Sequence, residues 1–228
     1  MKRNIVLGVT GASGAVYAVR LLEVLLAAGC DVHLSISPAA ASILRQELGL
    51  SVDLDRFDAA SLLLDAGPDV RDEKLQRIRS LAGISSESSH VLSVATGEPG
   101  ALRYHHHADL MAPIASGSFL TDGMVVCPCS SATLSAIACA ASANLIHRAA
   151  EVHLKERRKL VLVPRETPLS LAQLDNMRRA AEAGAVILPA MPAFYQGVAS
   201  VRDLVDFIVA RICDQVAIPN ELIRRWGK

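Results

Sequence analysis

The chain has 228 residues, of which 51% are apolar, 20% charged and only 4% aromatic. This suits one α/β domain with a core of Ala, Val, Leu and Ile, and it excludes disordered and collagen-like chains. Lys plus Arg is 23 and Asp plus Glu is 23, a net charge of zero that excludes holding nucleic acid by bulk electrostatics.

The opening Met1-Lys2-Arg3 leads into an apolar stretch too short for a signal-peptide core, so Asn4–Val9 reads as a buried first strand. Ser13–Ala28 places Ala15, Val19, Leu22 and Leu26 on one helical face, and Gly29 supplies the stop. Asp31–Ile36 is the second strand. Ser37-Pro38 then reads as an N-cap followed by proline at the first helical position, with Glu47 near the end of that helix. Residues 51–107 break the rhythm. Asp53–Asp65 and Asp69–Leu81 look helical, and the Ser- and Gly-rich stretch that follows looks like a mobile loop, an insertion rather than a second domain. Strands return at Met124–Cys127, Lys159–Val163 and Ala185–Leu188, with helices at Thr133–Ala143, Leu169–Ala183 and Ser200–Val216. Strand followed by helix, five times over, argues a parallel sheet covered on both faces, with ligands expected beyond the C-terminal strand ends.

No run approaches the ~20 apolar residues of a membrane span. The five cysteines (Cys30, Cys127, Cys129, Cys139 and Cys213) lie in apolar stretches and suit reduced, buried thiols of a cytoplasmic protein. Cys127-Pro128-Cys129 lacks a second ligand pair, and three consecutive side chains of His105-His106-His107 cannot all face one ion, so no metal is expected and the histidines read as a solvent-facing or interface run.

The strand ends carry the chemistry. After the first strand, Gly8-Val-Thr-Gly11-Ala12-Ser13-Gly14 is either a tight strand–helix turn or a phosphate cradle at a helix start. The second strand ends in Ser37 where a dinucleotide site wants an acidic residue for the ribose, which disfavours NAD and suits a mononucleotide or flavin. Cys127-Pro-Cys-Ser130-Ser131-Ala132-Thr133 offers more hydroxyls at a helix start than capping needs. Between 144 and 166, Arg148, Lys155, Arg157, Arg158, Lys159 and Arg165 outnumber Glu151 and Glu156. Glu151 and Lys155 are an ordinary i,i+4 helix pair, whereas Arg165-Glu166 follows a strand directly at the ligand edge. Phe194 and Tyr195 end the last strand's loop, Arg211 lies on the final helix, and Trp226 is the only tryptophan. Cations to neutralise a departing phosphate and sparse rings to face a carbocation suit transfer of a group that becomes cationic as phosphate leaves. No acidic pair of the kind that grips magnesium diphosphate accompanies them.

The stretches GVTGASG (8–14), ISPAA (36–40), ASGS (115–118), CPCSSATLSAIA (127–138), RAAEVHLKERRKLVLVPRETPLS (148–170), GAVILPAMPAFY (184–195) and RW (225–226) together resemble the UbiX-type flavin prenyltransferases. They cover most of the chain outside roughly 51–100, a segment longer than usual in that family by some tens of residues. The resemblance implies a flavodoxin-like, Rossmann-type three-layer fold. It implies an enzyme that joins the dimethylallyl group of dimethylallyl phosphate to N5 and C6 of reduced FMN, without a metal, and supplies prenylated FMN to a UbiD-type decarboxylase. It also implies a homododecamer with sites at subunit interfaces. Gly11, Ala12, Ser13, Ser37, Ser130, Ser131, Ala132, Thr133 and Arg165 match FMN contacts. Ser116, Arg148, Lys155, Tyr195 and Arg211 match the prenyl-phosphate group, and Glu166 matches the residue moving a proton with the leaving phosphate. Ser13 and Glu47 fall near the reacting flavin N5, and Trp226 matches the ring that closes over the allylic cation. Glu47, by itself a solvated helix-face carboxylate, thereby becomes a site residue. Two alternatives remain open. One is a flavin-dependent cysteinyl decarboxylase, whose motif Ala141–Asn144 partly matches but whose P-x-M-N-x-x-M-W segment is missing. The other is a non-catalytic FMN-binding subunit, for which Glu47, Lys155 and Glu166 have no use.

Overall fold

A computed structural model describes residues 2–62, 99–195 and 197–227. Six strands form one parallel sheet: β1 (Asn4–Val9), β2 (Asp31–Ile36), β3 (Leu102–Tyr104), β4 (Gly123–Cys129), β5 (Leu160–Pro164) and β6 (Val186–Ile187), in the order β3-β2-β1-β4-β5-β6. Without the three-residue edge strand β3, the remaining order is that of flavodoxin, with the chain reversing its direction of travel between β1 and β4. The helices are α1 (Ala15–Ala27), α2 (Pro38–Leu48), α3 (Ser131–Ala138), α4 (Leu145–Lys155), α5 (Leu171–Glu182) and α6 (Val201–Gln215). The central strands are apolar on both faces, as a doubly covered parallel sheet requires. Ile5, Leu7, Val125 and Val163 face α1, α2 and α6, while Val6, Met124, Val126 and Leu162 face α3, α4 and α5.

Local chemistry explains the element ends. Ser37 accepts a hydrogen bond from Ala40 N and Pro38 opens α2, as the sequence indicates. Ser170 and Ser200 each form a reciprocal capping box with the residue three positions on. The helix expected over Asp53–Asp65 is absent in its described part. Asp53 Oδ1 accepts from Asp55 N and Arg56 N, and Asp58 caps a 3₁₀ turn at Ala59–Ser61, so side-chain acceptors take the amides a helix would need. The helix expected over Asp69–Leu81 and the Ser- and Gly-rich loop fall outside the described residues, apart from the loop's end at 99–100. α3 starts two residues before the expected Thr133 and stops at Ala138, because Ala140 turns left-handed (φ 54°) and Asn144 starts α4 afresh.

Four cysteines are buried, but Cys139, at the exposed turn after α3, is not, which corrects the expectation for that residue. The three consecutive histidines are half-buried rather than solvent-facing. His105 stacks on His33 with ring centroids 5.2 Å apart and a 2.9 Å N···N hydrogen bond, and His106 pairs with Asp55 at 3.5 Å. His107 Nδ1 is buried without a partner among the described residues. Among those residues no group of His, Cys, Asp and Glu is arranged to hold a metal ion, and no helix is long and apolar enough to cross a membrane.

Candidate active site

The loops after β1 and β4 meet at the point where the strand order reverses. Thr10 ties them together. Its hydroxyl donates to Pro128 O at 2.7 Å, and its Oγ1 accepts from Ser130 N at 2.8 Å. Gly11 closes the β1 loop against the start of α2, since a Cβ there would stand 2.4 Å from Ala39 Cβ. Gly14, left-handed at φ 115°, caps α1 without a side chain. Glu47, 33 residues on, supplies the missing cap: its carboxylate accepts from Gly14 N (2.9 Å) and Ala15 N (2.8 Å). The opening of α1 is therefore occupied by the chain's own anion rather than presented to a phosphate, and Glu47 stands beside Ser13. Arg165 reaches the same turn from β5, donating from Nε to Ser13 O at 3.2 Å.

Within this edge, the backbone N–H groups of Gly11, Ser13, Ala39, Ser131 and Ala132 make no hydrogen bond among the described residues. With the Ser37 and Thr133 hydroxyls and the Arg165 guanidinium they form a donor-rich rim around the β1–β4 crevice. That chemistry fits FMN, whose ring carbonyls, ring nitrogens and phosphate are mostly acceptors. Ser131 and Glu166 meet on the same rim, Ser131 Oγ donating to Glu166 Oε2 at 3.2 Å.

Two further groups lie apart from this one. On α4, Arg148 donates to Ala115 O (3.2 Å) and pairs with Glu151 (3.3 Å), while Lys155 pairs with Glu156. Both bracket the loop carrying Ser116, whose Oγ shares a 2.9 Å hydrogen bond with Ser118 Oγ. Gly117 permits the approach: a Cβ there would fall 2.8 Å from Lys155 Nζ. At the C-terminal end, Tyr195 meets Trp226 edge-on (centroids 5.3 Å), Phe207 backs Tyr195, and Arg211 and Arg225 both pair with Asp214, at 2.6 and 2.7 Å. Among the described residues no hydrogen bond or ion pair connects these two groups with each other or with the β1–β4 crevice. Arg148, Lys155 and Arg211, the three cations matched to phosphate, each have a carboxylate partner within the chain.

Three contributors went unread in the sequence. Thr10 offers only a hydroxyl between two glycines as a signal. Gln173 is visible as the third residue after Ser170 in a capping box. Tyr17 lies in the first turn of α1 and packs on Gly14, with a Cβ-to-ring distance of 3.0 Å for a substituted residue 14. Burial pushes its phenol pKa up, the buried Cys127 adds to this, Arg165 opposes it and Glu47 reinforces it, so the hydroxyl stays protonated beside the crevice.

Fold and crevice define a flavodoxin-like, FMN-binding protein, and the Flavoprotein family model matches residues 1–213. The chain is 43% identical over 225 residues to the flavin prenyltransferase UbiX of Pseudomonas aeruginosa, covering 99% of this chain and 94% of the relative. To the UbiX of Halalkalibacterium halodurans it is 41% identical, covering 97% and 92%. Among solved structures it resembles AnUbiX in complex with FMN and dimethylallyl pyrophosphate (TM-score 0.75, 35% identity, 100% and 99% covered). A dodecameric FMN-dependent UbiX-like decarboxylase from Escherichia coli O157:H7 is similar too (TM-score 0.74, 34% identity, 99% and 100% covered). The chain belongs to the UbiX flavin prenyltransferase family. A phosphopantothenoylcysteine-type decarboxylase shares 13% identity at TM-score 0.53, a likeness of fold alone.

Proposed function

We propose that this chain joins the dimethylallyl group of dimethylallyl phosphate to N5 and C6 of reduced FMN, needs no metal to do so, and supplies the prenylated product to a UbiD-type decarboxylase in the cytoplasm. The observation that carries the reading is the β1–β4 crevice, where Glu47, Ser13 and Arg165 converge on a rim of unpaired amide donors. Gly11, Ala12, Ser13, Ser37, Ser130 to Thr133 and Arg165 hold the flavin. Reduced FMN, when bound, supplies the nucleophilic N5 and C6. Ser116, Arg148, Lys155, Tyr195 and Arg211 hold the phosphate, whose departure their charges and donors favour. Glu166 moves the proton associated with that phosphate, and Trp226 shields the allylic cation from water.

The separation of the three groups within one chain supports sites completed by neighbouring copies. So do the exposed apolar side chains of Met111, Leu120, Leu171, Phe194 and Trp226, surface that neighbouring copies would cover. A homododecamer is the assembly we infer. The test is to incubate the protein anaerobically with FMN, a reductant, dimethylallyl phosphate and a chelator, then weigh the bound flavin by mass spectrometry. A mass gain equal to the five-carbon group is expected. An unchanged flavin leaves only an FMN-binding subunit, and turnover abolished by the chelator overturns the metal-free form.

A further inference from the structure

We propose that Gln173 is a positioning residue for Glu166. The proposal rests on the reading of Glu166 as the proton-transfer group, and it adds what holds that group in place. Glu166 lies on the exposed loop after β5 and pairs with no cation among the described residues. Its carboxylate is held through one oxygen only. Oε2 accepts from Ser131 Oγ at 3.2 Å and from Gln173 Nε2 at 3.3 Å, while Oε1 has no hydrogen-bond partner among those residues.

Gln173 is well placed for this task because its own orientation is fixed. Its Oε1 accepts from Ser170 N at 2.7 Å in the capping box that opens α5, which leaves Nε2 as the end facing the site. That nitrogen has two protons and two acceptors. It donates to Ser131 Oγ at 2.6 Å and to Glu166 Oε2. Ser131 Oγ accepts from Gln173 and donates its single proton to Glu166. The triangle Gln173–Ser131–Glu166 thus joins the first turns of α3 and α5 to an otherwise unconstrained carboxylate. It leaves Oε1 as the atom that exchanges a proton. A surface glutamate without such partners samples many rotamers, and a proton-transfer group loses rate when it does.

The capping box allows a clean test, because glutamate serves it as well as glutamine does. Gln173→Glu keeps the helix start but replaces a donor aimed at Glu166 with a negative charge. We expect an unchanged melting temperature and FMN retention, a kcat for prenylation lower by about 10- to 100-fold, and a KM for dimethylallyl phosphate within about threefold of the parent. The pH dependence of kcat is expected to change with it, because a new carboxylate then stands at the proton-transfer position. Ser170→Ala weakens the same helix cap while leaving the Gln173 amide in place, and it is expected to lower the melting temperature and keep the parental kcat. Should Ser170→Ala lower kcat as much as Gln173→Glu does, residue 173 acts through the helix cap and the proposal is overturned. Glu166→Gln separates the two layers. If it is inactive while Gln173→Glu keeps the parental kcat and pH profile, only the positioning role falls. If Glu166→Gln itself keeps the parental rate, the proton-transfer reading falls and the positioning role falls with it.

Discussion

Glu47 has one observed role and one proposed role, and they are separable at a single atom. As an anion it caps α1 through Gly14 and Ala15, where helix-dipole and hydrogen-bond terms are each worth about 1 kcal/mol. As a carboxylate beside Ser13 it is also the acid that the proposed reaction assigns to the neighbourhood of flavin N5. Glu47→Gln keeps a carbonyl oxygen for the cap and discards the charge. Expected are FMN retention and near-parental stability with prenylation reduced about 100-fold or more, measured by flavin mass against time. Lys155→Ala separates phosphate capture from flavin binding in the same way. FMN binding is kept and the KM for dimethylallyl phosphate rises by about 10- to 100-fold. Parental rates in both variants would remove Glu47 and Lys155 from the site.

Among the elements, α1 and α6 are fastened by Arg20, which is 1% exposed and whose guanidinium meets Asp206 at 2.7 Å and Glu23 at 3.2 Å. Removing Asp206 leaves the buried guanidinium with Glu23 alone, so Asp206→Ala is expected to lower unfolding free energy by about 1.5–3 kcal/mol in denaturant melts. Arg20→Met with Asp206→Leu is expected to recover most of that loss. This pairing was not legible in the sequence, where Arg20 reads as one polar position on an amphipathic helix; only the packing of α6, 186 residues away, supplies its partner. What could be read locally came through well. Strands β1 and β2 match their expected bounds because both are short apolar runs closed by Gly or Ser-Pro. β3 escaped notice because three residues, Leu102–Tyr104, carry no periodicity and become a strand only by pairing with β2. α4 registered as a concentration of charge rather than as an element. Its apolar face, Leu145, Ile146, Ala149, Ala150 and Val152, is small and interrupted by basic residues. For the site, the motifs marked candidate residues but not their partners: the Glu47–Gly14 and Gln173–Glu166 contacts are products of tertiary structure.

At the scale of the whole molecule, buried histidines set an acid limit. His33 and His153 have pKa values lowered to about 4, in each case chiefly by burial. His105 and Arg103 add to the effect at His33, with Asp31 opposing, while at His153 the Ala149 carbonyl opposes and Arg158 adds. The unfolded chain takes up these protons near pH 6.5 and the folded chain only near 4. Between those values the unfolded state binds more protons, so stability falls as pH drops through this window and is fully present above it. Each group accounts for at most about 3 kcal/mol. Denaturant midpoints near pH 7 and near pH 5 are expected to differ accordingly, with His33→Gln and His153→Gln flattening the difference. The cysteines add a practical property to the same molecule. Cys127 and Cys129 on β4, Cys30 and Cys213 are all buried, and burial pushes the Cys129 and Cys213 thiols up to about 12. Only Cys139 meets solvent. An electrophilic dye therefore addresses one position in the native chain, a ready attachment point at the turn between α3 and α4, reached without engineering a single residue.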